Sequence, residues 1–527
     1  MYLPRPTPTA PTSLRDLVLG VSALGSAILA GDPATTVSGV SLDSRAITGG
    51  DLYAALPGAN AHGASFAVPA VAAGATAILT DEAGRGIAGA AGVHLPLIVI
   101  QDPRAVLGDV ARVVYGTTDL DLQMVGITGT NGKTTTAHLV TSALAALGEQ
   151  TGLIGTVETR IGAERITSVR TTPEATDLHA LLAVMAERGL HTCVMEVSSH
   201  ALTLHRVDGV IYDLALFTNL SQDHLDFHPT MRDYFEAKAS LFTPLRSRRG
   251  IVCVDDDWGR ELASVATVPV TTLSSRAGVD ADWQLTPNGT DVTAFTLTGP
   301  EATMNLRSAL PGEFNRVNTA MAALTLLLLG RGLDEVERAI LTDPHVPGRM
   351  ERVEPNGAAD VPWPLAVVDY AHTPEAVEAA LTALRPTTPG ILVVVLGAGG
   401  DRDRGKRAAM GRAAARCADI VIVTDDNPRG EDPAVIRAAV LGGAGDIGGA
   451  ASVEEVADRG AAIRVAVRKA VASGPGATVA VVGKGHETGQ EIAGVVHPFD
   501  DRVELRAALE EALAGLSAPS GAGEAPA

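Results

Sequence analysis

Cysteine is nearly missing from this 527-residue sequence: the three present, Cys193, Cys253 and Cys417, are far apart and form no CxxC pair. That argues against a disulfide framework and a cysteine-based zinc site, and it fits a reducing, cytoplasmic setting. Aromatic residues are scarce at 3%, against 46% hydrophobic residues overall, so the cores must be built from Ala, Val, Leu and Ile. Positive charge is in deficit, since 41 Lys and Arg against 61 Asp and Glu leave a formal net charge of −20. This balance speaks against a nucleic-acid partner or a polybasic membrane binder, while permitting a local basic pocket for an anionic ligand. Nor is there an apolar run of the ~20 residues that a membrane-spanning helix needs. The stretch Leu17 to Gly31 resembles a signal-peptide core, but Asp16 precedes it and Pro4, Pro6, Pro8 and Pro11 crowd the segment ahead. At 15 residues it is also too short to span. Thr319 to Gly330 reads as a buried helix, and no 20–50-residue repeat or heptad pattern is found.

What is present suffices for several cores, and at roughly 100–200 residues per domain the length predicts three or four. Residues 1–13 are rich in Pro and Thr and are expected to be loose; 517–527 has the composition of a disordered tail. Between them the pattern changes twice, giving expected domains at 1–118, 119–344 and 345–516. In the first, Ala77–Thr80 reads as a strand. The second opens with an apolar run, Leu122–Thr128, a Gly-rich turn and a helix, Lys133–Leu147, with Val140, Leu144 and Leu147 on one face and Gly148 as its stop. In the third, β-branched runs end at Asp369, Gly397, Thr424 and Gly483, as do strands buried on both faces of a parallel sheet. The fold class is therefore α/β, and ligands are expected in the loops at the carboxyl ends of the strands.

One such loop is Gly126-Ile-Thr-Gly-Thr-Asn-Gly-Lys-Thr-Thr135. Gly129 and Gly132 permit a tight turn, and the following helix N-terminus favours a phosphate. Lys133 is expected to reach the β- and γ-phosphates of a nucleotide and Thr134 to hold Mg²⁺. The spacing is a variant, because Ile127 stands where the common phosphate-loop pattern has glycine. The bland alternative is a Gly-rich turn with a solvated lysine.

Two acidic or imidazole-bearing segments follow. Glu196 ends the strand-like run His191–Val197 and is a candidate Mg²⁺ ligand; alone, it is equally a strand-edge carboxylate in a salt bridge. In Thr218–His228, His224 is a candidate metal ligand or general base, whereas Asp226 and His228 read as a polar loop and helix cap. Tyr234–Phe242 reads as a helix in which periodicity marks Lys238 as an ordinary lysine on a mixed face.

Taken in order, GTNGKTT, MEVSSH, TNLSQDHLDFH, YFEAKASLF, GEFNRVN, VPGRME, DYAHTP, GAGGDRDRGKR, DNPR and GKGHE resemble the motifs of the Mur ligases over residues 40 to 515. The resemblance implies three domains: an N-terminal UDP-binding domain, a central P-loop ATPase and a C-terminal Rossmann-like domain. It implies an ATP-dependent acid–amino-acid ligase of cytoplasmic peptidoglycan precursor synthesis, working through an acyl phosphate, and a monomer. It assigns Gly129, Thr130, Asn131, Gly132, Lys133, Thr134, Thr135, Asn315, Arg349 and Asp369 to the nucleotide. Arg349 is expected where the central and C-terminal domains join. Thr134, Glu196 and His224 are assigned to Mg²⁺, together with Lys238 as a carbamate formed with CO₂. Leu42, Ser44, Ala61, His62, Gly63, Thr171, Thr172, Ser198 and Arg206 are assigned to a UDP-sugar peptide. Leu204 departs from the family, many members of which carry Gln there.

For the incoming amino acid, the resemblance points to Arg402, Asp426, Asn427, Pro428, Arg429, Gly483 and Glu487. Meso-2,6-diaminopimelate carries a second carboxylate and ammonium; Arg429 and Arg402 can take the first and Glu487 the second. Lysine lacks that carboxylate, so Arg429 favours addition of diaminopimelate to UDP-N-acetylmuramoyl-L-alanyl-D-glutamate, with L-lysine as the alternative. The bland reading pairs Arg429 with Asp425 or Glu431. More distant alternatives are a folylpolyglutamate synthase, against which SLDSR and DNPR argue, and a regulatory P-loop module.

Overall fold

Runs of β-branched residues alternating with Ala- and Leu-rich segments build three parallel-rich sheets in this computed structural model, which describes residues 3–7, 11–289, 291–300, 302–356, 363–401, 403–446 and 451–517. The N-terminal sheet has the order Ile28–Ala30, Leu97–Val99, Ala77–Thr80, Asp51–Ala54, Gly39–Ser41, parallel except for its first strand. The Leu17 region is folded rather than a leader-like run. Leu14, Leu17, Val21 and Leu24 are buried in the core of this sheet, and Ser13 caps the helix Leu14–Gly20.

The expectation of a loose N-terminus is overturned where that segment is described. Thr12–Ser13 pairs with Thr36–Val37, and Arg5 makes an ion pair with the buried Asp51 at 2.7 Å. Composition alone could not reveal a partner so distant in sequence.

The second sheet centres on Gln123–Thr128, flanked on either side by the parallel strands Thr192–Glu196 and Leu214–Phe217. Thr151–Ile154 lies beyond the first, Gly250–Cys253 and Val270–Ser274 beyond the second. Antiparallel strands Glu158–Ile161 and Glu164–Thr167 close one edge. Neighbouring strands therefore leave Gln123–Thr128 on opposite sides, which places the phosphate loop at a topological switch point, where open α/β sheets bind ligands. The helix Lys133–Ala146 is buried around most of its circumference, not along one stripe, and Gly148 (φ +86°) ends it.

The third sheet runs Glu351–Arg352, Leu365–Asp369, Thr478–Val482, Leu392–Leu396, Ile420–Val423, Ser452–Glu455. Its strands are parallel except the first, and apolar clusters cover both faces. Helices beginning Asp-Pro or Thr-Pro, at Pro374–Leu384 and Pro433–Gly445, have their first turns capped by Thr373 and Asp432. The expected helix at Thr319–Gly330 lies within Glu313–Leu328. Ser517 ends the helix Asp501–Ser517; the rest of the expected tail lies outside the described residues.

Contacts divide the chain into two units. The first runs to Leu285 and adds Leu297–Met304 and Ala320–Thr342; the second holds Thr286–Thr296, Asn305–Thr319 and the chain from Asp343.

Candidate active site

In the first unit, Ile127 is fully buried in its strand, and the chain turns at Gly129 (φ +141°) and Gly132 (φ +90°). A Cβ on Gly129 would lie 2.0 Å from Thr218 Oγ1, so only glycine fits. The segment after Leu214–Phe217 holds this loop. Thr218 Oγ1 donates to Asn131 O at 2.6 Å, Asn219 Oδ1 accepts from Asn131 N at 2.9 Å, and Ser221 N donates to Thr130 Oγ1 at 3.0 Å. TNLS and GTNG are thus two halves of one cradle. Lys133 Nζ folds back onto the carbonyls of Gly129 (2.9 Å) and Thr130 (3.0 Å).

Beneath the loop, Thr134 Oγ1 lies 3.0 Å from both carboxylate oxygens of Glu196. Thr156 supplies two more donors to Glu196, its N–H at 2.8 Å and its hydroxyl at 3.0 Å. Glu196 is therefore no salt-bridged edge carboxylate: it ends a central strand, is buried, and is held by hydroxyls and an amide. A buried hydroxyl–carboxylate pair is a hard-oxygen donor set of the kind Mg²⁺ takes. Among the described residues no group of three or more His, Cys, Asp or Glu side chains is gathered as a metal site. A metal bound to this pair would be completed by phosphate, water or a modified side chain.

Lys238 corrects the reading of an ordinary helix lysine. It is fully buried, donates to Gly129 O at 2.8 Å and lies 4.6 Å from the centre of the Tyr234 ring. Burial, and then Lys133, hold its pKa well below the usual lysine range. His224 (φ +55°), although its side chain is 43% exposed, is pushed down to about 4 by desolvation of its ring, against the pull of Asp223 and with help from Lys133, His200 and Lys238. It lies edge-on to His200 at 4.8 Å, and His200 stacks on Phe227 at 4.1 Å. His228 is no helix cap, for Thr230 caps Met231–Ala239 while His228 is buried with Nε2 2.9 Å from Ser199 Oγ. Sequence reasoning missed His200, although it closes the MEVSSH motif.

Of the expected sugar-peptide residues, Thr171, Thr172 and Ser198 gather beside Glu196. Thr171 Oγ1 meets Thr156 Oγ1 at 3.0 Å, and Thr172 Oγ1 donates to Glu196 O at 2.8 Å and accepts from Ser198 N at 3.1 Å. Arg206 meets Glu174 at 2.9 Å, and the same carboxylate also takes Arg170 (2.7 Å) and Arg104 (3.2 Å). Arg104 donates as well to Leu204 O at 3.3 Å. Glu174 was not singled out from the sequence: Arg170 lies four residues before it, but Arg104 and Arg206 are too far along the chain for spacing to reveal.

Around the N-terminal sheet, His62 Nδ1 accepts from Ala64 N and Nε2 faces Asp81 Oδ1, both at 3.0 Å. Tyr53 OH donates to Gly63 O at 2.8 Å and hydrogen-bonds Ser44; burial pushes its phenol up to about 12. Leu42 packs on the core and Ala61 is exposed.

In the second unit, Asp369 accepts Met350 N (2.7 Å) and Ala371 N (2.8 Å), and Arg349 stacks over Tyr370 at 4.3 Å. Burial pushes the Asp369 carboxyl up, against the pull of Arg349. Asn315 is buried and donates to Pro311 O at 2.7 Å. Asn427 is the hub of the DNPR loop. Its Nδ2 donates to Glu487 Oε2 (2.8 Å), and its Oδ1 accepts from Lys484 Nζ (3.1 Å) and Glu491 N (2.9 Å). Asp426 is buried, Gln490 donates to the Asp426 carbonyl, and a Cβ on Gly483 (φ +117°) would lie 2.6 Å from Asp426 Oδ2. Arg429 (φ +51°), following Pro428, donates to Gly400 O at 2.8 Å and faces Glu491 at 3.3 Å. It does not pair with Asp425 or Glu431, which are taken by Arg437 and by Arg407. Arg402 lies outside the described residues.

A phosphate loop at the switch point of a parallel sheet, with a hydroxyl–carboxylate pair beneath it, defines a P-loop nucleotide-binding protein of the α/β class. Three family models match the chain: Mur ligase family, catalytic domain over 36–115; Mur ligase middle domain over 127–326; and Mur ligase, glutamate ligase domain over 348–485. The UDP-N-acetylmuramoyl-L-alanyl-D-glutamate–2,6-diaminopimelate ligase of Streptomyces coelicolor is 51% identical over 515 residues, covering 96% of this chain and 98% of its own. The UDP-N-acetylmuramyl-tripeptide synthetase of Leifsonia xyli is 46% identical, covering 90% and 92%. A solved structure of a UDP-N-acetylmuramoyl-L-alanyl-D-glutamate–2,6-diaminopimelate ligase superposes with a TM-score of 0.66 at 31% identity, covering 96% of this chain and 100% of that one. The chain belongs to the Mur ligase family.

Proposed function

We propose that this chain is an ATP-dependent ligase that joins meso-2,6-diaminopimelate to UDP-N-acetylmuramoyl-L-alanyl-D-glutamate in cytoplasmic peptidoglycan precursor synthesis, acting as a monomer. The observation that carries the choice of amino acid is Asn427, which ties Glu487 and the backbone of Glu491, the ion partner of Arg429, into one network. A negative and a positive side chain are thus presented together, as a distal ammonium and carboxylate require. The 51% identity to a ligase of that name supports the same reading. The domain boundaries we propose are 118/119 and 344/345.

A carboxylate is a poor acyl donor because its leaving group would be oxide. The free carboxylate of D-Glu attacks the γ-phosphorus of ATP, releasing ADP and forming an acyl phosphate. The neutral amine of diaminopimelate then attacks the acyl carbon, and the tetrahedral intermediate expels phosphate. The protein's share is to position two anions and relieve their repulsion. Lys133 turns from the loop carbonyls to the phosphates. Thr134 and Glu196 would hold Mg²⁺, which supplies charge neutralisation between phosphate and carboxylate. Lys238, whose pKa burial and then Lys133 hold well below the usual lysine range, is suited to take up CO₂ as a carbamate, whose oxygens would extend the hard-donor set. His224, with its pKa lowered to about 4, is a weak base at neutral pH and would instead offer its ring-nitrogen lone pair to the metal. Thr171, Thr172, Ser198 and Arg206 would hold the sugar-peptide, and Asn315, Arg349 and Asp369 the nucleotide. The test is phosphate release with ATP, Mg²⁺ and the UDP-dipeptide, with diaminopimelate and L-lysine offered in parallel.

A further inference from the structure

Lys484 is fully buried, yet no part of the reaction above uses it. Its ammonium donates to Glu487 Oε2 at 3.0 Å and to Asn427 Oδ1 at 3.1 Å. A buried ammonium is tolerated only when paired and hydrogen-bonded, so the group is held where it stands. Asn427 completes a triangle, since its Nδ2 also donates to Glu487 Oε2 at 2.8 Å, and its amide orientation is set by Glu491 N on Oδ1. Both donors thus converge on one carboxylate oxygen. Among the described residues Oε1 of Glu487 makes no hydrogen bond, and the side chain is 32% exposed.

We propose that Lys484 is a positioning and specificity-determining residue of the amino-acid pocket, an inference that rests on the proposed function. Two effects follow from the one contact. Lys484 and Asn427 fix the Glu487 carboxylate so that Oε1 faces the incoming distal ammonium. Lys484 also offsets the charge of Glu487, so that carboxylate attracts a lone cation less strongly. A distal head carrying both ammonium and carboxylate is itself neutral and gains from Arg429 as well. L-lysine brings only the ammonium and meets a carboxylate already paired. Lys484 therefore weakens lysine relative to diaminopimelate, a form of discrimination against the wrong partner.

The test compares kcat/KM for diaminopimelate and for L-lysine in the full-length enzyme and in Lys484→Met and Lys484→Gln. The expected result is a loss of about tenfold or more for diaminopimelate, as for removal of a charged hydrogen bond. L-lysine should be unchanged or improved, with KM for ATP and the UDP-dipeptide unaltered. Lys484→Gln keeps two hydrogen-bond donors without the charge, so it decides the matter if Lys484→Met does not fold. Equal losses for both amino acids, or an unchanged ratio, would overturn the proposal and leave Lys484 a structural residue. A wild-type enzyme inert to diaminopimelate would instead overturn the proposed function, and this inference with it.

Discussion

Lys133 and Lys238, from the phosphate loop and from a helix far along the chain, donate to the same carbonyl oxygen, that of Gly129, at 2.9 and 2.8 Å. Burial, and then the neighbouring ammonium of Lys133, push Lys238 toward its neutral form. One backbone atom thus couples the nucleotide site to the site proposed for the carbamate.

Removing Lys133 should stop the reaction. Lys133→Ala is expected to lower turnover by about 10³-fold, the scale of losing a preorganised electrostatic partner, with little change in thermal stability. Phosphate release with both substrates present, alongside a melting curve, checks this. Full activity in the variant would contradict the phosphate-loop assignment.

Lys238→Ala should also be nearly inactive, but for a different reason. If the side chain acts as a carbamate, small carboxylic acids supplied in the buffer should restore part of the activity. They should have no such effect on Lys133→Ala. A Lys238→Ala enzyme with full activity and no response to carboxylates would make Lys238 a packing residue only.

Arg429→Ala should raise KM for diaminopimelate by about ten- to a hundredfold, the scale of a lost charge-assisted contact. Its contacts to Gly400 O and Glu491 lie wholly within the second unit, so KM for the UDP-dipeptide should hold. Initial rates with each substrate varied in turn decide this, and a uniform loss across all substrates would point to a fold defect.

His179 offers a pH test remote from the chemistry. Its ring lies between Thr117 Oγ1 (2.6 Å) and the carbonyl of Asp208 (3.1 Å), and burial pushes it down to about 4. With the folded pKa below the unfolded 6.5, the unfolded state binds more protons between those values. The stability contributed by neutral His179 is therefore present above about 6.5 and lost as pH falls toward 4. His179→Gln should destabilise the protein at neutral pH, and that penalty should shrink on acidification. Chemical denaturation of both proteins at several pH values measures the difference, and a pH-independent gap would contradict it.

Much of this architecture was legible in the sequence for an identifiable reason. Strands buried on both faces write themselves as continuous runs, so Ala77–Thr80, Gln123–Thr128, Leu392–Leu396 and Thr478–Val482 were readable within a residue or two. Short edge strands with mixed polarity, such as Glu164–Thr167 and Gly489–Ile492, carry no such signal. The loop glycines and Lys133 announced their chemistry through local spacing. Lys238 did not, because helical periodicity cannot tell a lysine under a phosphate loop from one facing water. Lys484 and Glu174 each have one partner nearby in sequence, Glu487 and Arg170, but Asn427 for the first and Arg104 and Arg206 for the second come from distant segments, and only the fold brings those groups together.

The most direct test of the whole account is phosphate release by the intact enzyme with ATP, Mg²⁺ and UDP-N-acetylmuramoyl-L-alanyl-D-glutamate, adding meso-diaminopimelate to one reaction and L-lysine to another. The account expects release that depends on the UDP-dipeptide and on diaminopimelate, with little from L-lysine. Release with L-lysine alone, or release indifferent to either amino acid, would contradict it.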